Sequence, residues 1–159
     1  MLAKWARARV IAVDVASDKF GACRKAGADE VVDASSGDAA EALLDLTGGR
    51  GVDVVIDYVS ATATLEAGAK ALGIRGRLVT LGGAGRPFTA SSLSLLQKEQ
   101  DILGSRYVTR SEILDVLDLV ARGEIWPLVT DIRPLEEAEA LHERIERGEV
   151  TGRGALLIG

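Results

Sequence analysis

The 159-residue chain has one cysteine and one histidine. Cys23 therefore has no internal disulfide partner, and with His142 it fills only half of the four-ligand set a structural zinc needs, unless distant carboxylates converge on them. Long apolar runs are missing too. Stretches such as Leu78 to Leu81 fall far short of the roughly 20 residues required to span a bilayer. Lys4, Arg7 and Arg9 break up any apolar core that a secretory leader would need. A cytoplasmic location with no membrane partner is the expectation. Basic residues form no runs and the formal net charge is -5, so no footprint for nucleic acid is visible. There is no G-x-S-x-G elbow, and His142 sits in a Glu-rich helical stretch without a nucleophile nearby, which leaves a hydrolase triad unsupported. The dinucleotide loop G-x-G-x-x-G is also lacking. Gly82 to Gly85 is followed by Arg86 and Pro87 and opens no helix.

What is present fits one soluble globular core. Hydrophobic residues make up 47% and charged residues 27%, which argues against disorder, and 18 glycines provide many short turns. Short β-branched runs alternate with helical patterns, the rhythm of βαβ units with a mainly parallel sheet. Val10 to Val13 reads as a strand with Asp14 at its end. Ser17 is placed to cap a helix that runs to about Ala26 and stops at Gly27. Glu30 to Asp33 is a strand, followed by a helix with Ala40, Leu43 and Leu44 on one side. Val52 to Tyr58 reads as a strand buried on both faces, Thr62 to Leu72 as a helix and Arg77 to Leu81 as a strand. A short helix near Leu93 to Lys98 precedes an edge strand over Asp101 to Tyr107. Ile113, Leu114, Leu117, Val120 and Ala121 fall at helical spacing, as do Leu135, Ala138, Leu141 and Ile145, and Ala155 to Ile158 ends the pattern as a strand. Leu2, Ala3, Trp5 and Ala6 look like the end of a helix whose beginning, and whose preceding central strand, lie outside the chain.

Asp14 is the most informative residue. An acid at the carboxyl end of a strand can accept hydrogen bonds from both hydroxyls of an adenine ribose and repels a 2′-phosphate, which favours NAD over NADP. A strand-ending aspartate that only turns the chain fits the same spacing equally well. Lys19 can swing toward that ribose, but alone it is an ordinary surface lysine. Gly82, Gly83 and Gly85 would let backbone approach a flat ring closely, though a simple turn explains them as well.

Taken in order, "RVIAVDVASDKFGACRKAGADEVVD", "GGRGVDVVIDYVS", "GRLVTLGG", "DILGSRYVTRSEILDVLDLVARGEI" and "RGALLIG" resemble the zinc-containing medium-chain alcohol dehydrogenases over essentially the whole chain. The resemblance implies an α/β fold: a Rossmann-like, doubly wound parallel sheet lacking its first, central strand. Residues 1–159 would form a partial NAD-binding domain, with about 125–159 returning toward a catalytic domain that is not part of the chain. NAD(H) is the implied cofactor, and zinc would belong to that missing domain. Asp14 and Lys19 match adenosine-ribose contacts, and Tyr58 and Val59 match the loop passing the cofactor. Leu81, Gly82 and Gly83 match the backbone beside the nicotinamide, and Ser105 to Tyr107 the segment whose main chain holds the carboxamide. Arg153 matches the arginine that pairs with the pyrophosphate. No catalytic or metal-binding residue is expected in this chain. In the full enzyme, hydride would pass between NAD(H) and a small alcohol, aldehyde or ketone, while this chain alone would be inactive. A homo-oligomer pairing through the strand near 101–107 is implied. The alternatives are a fragment of a zinc-free quinone or enoyl reductase, and a non-catalytic dimerising remnant.

Overall fold

Short strands alternate with helices through the structure, a computed structural model that describes residues 1–159. The chain divides into two units, one of Met1–Val31 with Thr109–Gly159 and the other of Val32–Val108.

In the first unit, helix α1 (Leu2–Trp5) leads to strand β1 (Ile11–Asp14). The Asp29 carboxylate ties this start down, accepting hydrogen bonds from the Val10 backbone N–H at 2.8 Å and from Lys4 Nζ at 2.5 Å. A 3-10 turn over Ser17–Lys19 runs into α2 (Phe20–Lys25). Ser17 is the first residue of that turn and caps nothing, so the expected cap is corrected. Gly27, at φ 102°, ends the helix in a conformation that side-chain-bearing residues rarely adopt. Strand β2 (Glu30–Asp33), which pairs with β1, carries the chain into the second unit.

There, Asp38 caps α3 (Ala39–Leu46) by accepting from the Ala40 and Glu41 amides, and it also holds Lys70 at 2.7 Å. Strand β3 (Val52–Asp57), helix α4 (Thr62–Ala71), strand β4 (Leu72–Thr80), helix α5 (Ser92–Lys98) and strand β5 (Asp101–Gly104) follow. The three strands form a parallel sheet in the order β3-β4-β5. β4 starts at Leu72, five residues before the expected Arg77. Gly73 makes this possible, because a Cβ there would lie 2.7 Å from the Arg50 carbonyl oxygen. β5 stops at Gly104, so Ser105 to Tyr107 leave the sheet, contrary to the expected strand.

One face of this sheet is covered. Leu65 of α4 packs with Leu72 and Leu78, with Val52, Val55, Ala69 and Phe88 around them. Burial of a side chain such as Leu78 contributes about 2 kcal/mol. Gly68 lets α4 close onto Val55, where even a Cβ would come to 3.0 Å of Cγ1. On the opposite face Val54 is 53% and Ile56 47% exposed, so β3 is not buried on both sides as expected. The apolar run marks a strand built for two covered faces, and within this unit only one is covered.

Back in the first unit, α6 (Arg110–Ala121) opens with a capping box, the Thr109 hydroxyl accepting from the Glu112 amide while Glu112 accepts from the Thr109 N–H. Its apolar stripe stays exposed at Ile113, Leu114 and Leu117, and Leu119 alone is buried. Strand β6 (Val129–Pro134), which the sequence reading missed, pairs in parallel with β7 (Arg153–Leu157). Helix α7 (Ala138–Glu146) lies between them in sequence and buries Leu141.

Asp29, Asp38 and Glu112 sit below the usual carboxylate range. The causes are, in turn, the Lys4, Lys70 and Thr109 side-chain hydrogen bonds, each reinforced by a backbone N–H. A folded-state pKa below the unfolded value means the stabilisation is complete above about pH 4 and is lost as pH falls through the lower folded values. Thermal melts are therefore expected to hold steady from pH 7 to 5 and drop below pH 4. A melting temperature unchanged down to pH 2 would contradict these pairings.

Candidate cofactor site

The centre of the site is the turn that leaves β3. Asp57, only 6% exposed, closes that strand with its side chain turned onto the next residues. Oδ1 accepts from the Val59 and Ser60 amides at 2.8 and 2.9 Å, and Oδ2 accepts from Thr64 Oγ1 at 2.7 Å. Three donors on one buried carboxylate hold the Tyr58–Ser60 turn rigidly, with Ser60 in the left-handed region at φ 58°. Ser60 Oγ in turn meets Thr80 Oγ1 at the end of β4.

The chain after β4 then crosses this turn at Gly82. A Cβ on Gly82 would stand 2.2 Å from the Val59 carbonyl carbon and 2.6 Å from the Ser60 nitrogen, so only glycine passes. The Leu81 amide donates to the Asp57 carbonyl, and the Ser105 amide to that of Thr80. These bonds shape an open depression of about 530 Å³ lined by Thr80 to Gly83 and Gly104 to Tyr107, at the carboxyl ends of β4 and β5. In this unit the structure thus gathers Leu81, Gly82, Gly83, Ser105 and Tyr107, with Tyr58 and Val59 exposed on the adjoining turn.

In the other unit, Asp14 closes β1 and stays half-buried, its Oδ1 accepting from the Ala16 amide at 2.9 Å. Oδ2 has no protein partner. Lys19 ends the following 3-10 turn, just before α2. Arg153 begins β7, exposed, with its N–H donating to the Leu128 carbonyl at 2.8 Å. A second depression in this unit surrounds Asp131, whose carboxylate pairs with Arg133 and Arg144. Those charges largely satisfy one another.

Parallel strands that end in an acid and a glycine turn are what an extended dinucleotide needs. Beyond the geometry, the zinc-binding dehydrogenase profile matches residues 1–122. The chain belongs to the zinc-binding dehydrogenase family. It is 33% identical to an NAD-dependent alcohol dehydrogenase of Sulfurisphaera tokodaii over 94% of its length, covering 43% of that protein. The crystal structure of AibC superimposes with a TM-score of 0.87 at 36% identity, across 98% of this chain and 47% of that one. An alcohol dehydrogenase from Aeropyrum pernix gives 0.83 at 35% identity, across 92% and 42%. This zinc-binding dehydrogenase chain thus spans less than half the length of these relatives, and it shares their Rossmann-like α/β fold with parallel strands.

Within one unit Gly82 and Gly83 present backbone free of side chains, and in the other Asp14 keeps one carboxylate oxygen without a protein partner, the chemistry a nicotinamide dinucleotide calls for. No three His, Cys, Asp or Glu side chains are grouped so as to hold a metal ion. No helix is long and apolar enough to cross a membrane. Sequence reasoning missed Asp57, Ser60, Thr80 and Arg106. An acid at a strand end followed by a serine three residues later was the available signal for the first two.

Proposed function

We propose that the chain is the cofactor-binding part of an NAD-dependent alcohol dehydrogenase. Asp14 carries the reading, with one carboxylate oxygen fixed on the Ala16 amide and the other without a protein partner at a strand's carboxyl end. In this reading Asp14 accepts the adenine-ribose hydroxyls and Lys19 stands beside them. Gly82 and Gly83 let the Leu81 to Gly83 backbone lie against the nicotinamide, while the main chain at Ser105 to Tyr107 orients the carboxamide. Tyr58 and Val59 flank the cofactor, and Arg153 meets the pyrophosphate. When bound, NAD accepts or donates a hydride at C4 of its nicotinamide. The reacting alcohol, aldehyde or ketone would be held in the complete enzyme. Zinc has no ligand set among these residues and is assigned no step. The isolated chain is expected to be inactive, and the unpaired edge of β5 supports association of two copies.

Fluorescence titration of the 159-residue chain with NADH and NADPH tests this. Without a G-x-G-x-x-G loop, NADH should bind more weakly than about 100 μM. It should still bind about tenfold tighter than NADPH, because the carboxylate gains charge-assisted hydrogen bonds from the ribose and repels a 2′-phosphate. Asp14→Asn should weaken NADH about tenfold and bring the two cofactors close to parity. Tighter binding of NADPH by the native chain would instead favour the zinc-free quinone or enoyl reductase reading.

A further inference from the structure

The depression at the ends of β4 and β5 contains one charged residue, Arg106. No carboxylate lies within ion-pair distance of it. Its guanidinium sits 4.6 Å from the centroid of the Tyr107 ring and donates through Nη2 to the Tyr107 hydroxyl at 3.2 Å. Tyr107 supports this arrangement from a left-handed backbone at φ 58°, a conformation costly for an aromatic residue. An arginine held against an aromatic face, with donors to spare and no anion of its own, is suited to receive a carboxylate in two-pronged fashion.

Two sources of negative charge could meet it: the cofactor's phosphates or the substrate. On the cofactor reading proposed above, on which this inference rests, Thr80 to Gly83 and Ser105 line the nicotinamide end. The nicotinamide ring carries no phosphate of its own, the pyrophosphate lying beyond its ribose, and in the oxidised cofactor the ring itself is positive. A second cation beside that ring is unfavourable unless an anion lies between them. We infer that Arg106 is a specificity-determining residue that selects alcohol or carbonyl substrates bearing a carboxylate. A substrate of this class sets one negative charge between the two cations when NAD is oxidised, and a neutral alcohol sets none.

The test uses the ¹⁵N-labelled 159-residue chain and two probes of the same size, 4-(hydroxymethyl)benzoate and its neutral amide, 4-(hydroxymethyl)benzamide. Each is titrated with oxidised NAD present while the Gly82, Gly83, Ser105, Arg106 and Tyr107 amides are followed by NMR. The carboxylate probe is expected to bind about fivefold tighter, a modest ratio because Arg106 is exposed to solvent. Arg106→Gln should abolish the ratio and Arg106→Lys should retain part of it. Equal affinities in the native chain, or a ratio that persists in Arg106→Gln, overturn the inference and leave the cofactor reading standing. NADH titrated alone separates the two sources of charge: affinity within twofold of native in Arg106→Gln supports substrate selection. A loss of tenfold or more assigns Arg106 to the cofactor phosphates and overturns the inference. Absence of any NADH response at these amides overturns the cofactor reading and, with it, the inference that rests on it.

Discussion

Gly82→Ala is expected to lower the melting temperature by about 10 °C and to abolish any response of the chain to NADH. The added methyl would stand 2.2 Å from the Val59 carbonyl carbon and 2.4 Å from its oxygen. Both are backbone atoms of a turn already fixed by Asp57, so neither side can yield as a flexible side chain would. The β4 exit or the Tyr58–Ser60 turn has to move. Overpacking against backbone costs about 3 kcal/mol, and for a chain of this size that corresponds to roughly 6–12 °C. Gly83→Ala is the control. A Cβ at Gly83 meets nothing within 4 Å, so stability should stay within about 0.5 kcal/mol of native. Differential scanning calorimetry of the two variants checks the pair, and equal melting temperatures would mean the crossing at Gly82 is looser than described.

Asp57→Ala is the second large effect. It removes the acceptor for the Val59 and Ser60 amides and for the Thr64 hydroxyl, leaving buried or half-buried donors without partners. Each stranded donor costs about 1–3 kcal/mol where water cannot reach it, so a loss of about 3 kcal/mol overall is expected once partial hydration of the turn is allowed for. Asp57→Asn keeps the Oδ1 acceptor and should lose only about 1 kcal/mol. Urea unfolding measures both. An alanine variant no less stable than the asparagine variant would show that the carboxylate does not organise the turn.

How far the sequence foretold this site follows from the range over which each residue acts. Asp14 and Gly82 could be placed because their positions are local features: an acid ending a short apolar strand, and a glycine just after one. Asp57 was not. Its spacing matches an ordinary strand end, and its importance comes from the Val59 and Ser60 amides and the Thr64 hydroxyl, which the folded turn and α4 bring onto its carboxylate. β6 escaped notice because Val129 to Pro134 carries Asp131 and Arg133 among its apolar residues and ends in proline. Its pairing with β7, more than twenty residues on, makes it a strand. Burial of β3 was over-read for the opposite reason. The run Val54 to Ile56 records a sheet meant to be covered on both faces, while α4 covers only the face bearing Val55. Arg106 gave no pattern at all, since its role depends on the Tyr107 ring and on the absence of any neighbouring carboxylate.

The most direct test of the account is a crystal structure of the chain grown with saturating NADH. The account predicts the adenine-ribose hydroxyls on the Asp14 carboxylate and the nicotinamide against Leu81 to Gly83. A dinucleotide seated instead in the depression around Asp131, with Asp14 bonded to Ala16 alone, would contradict it.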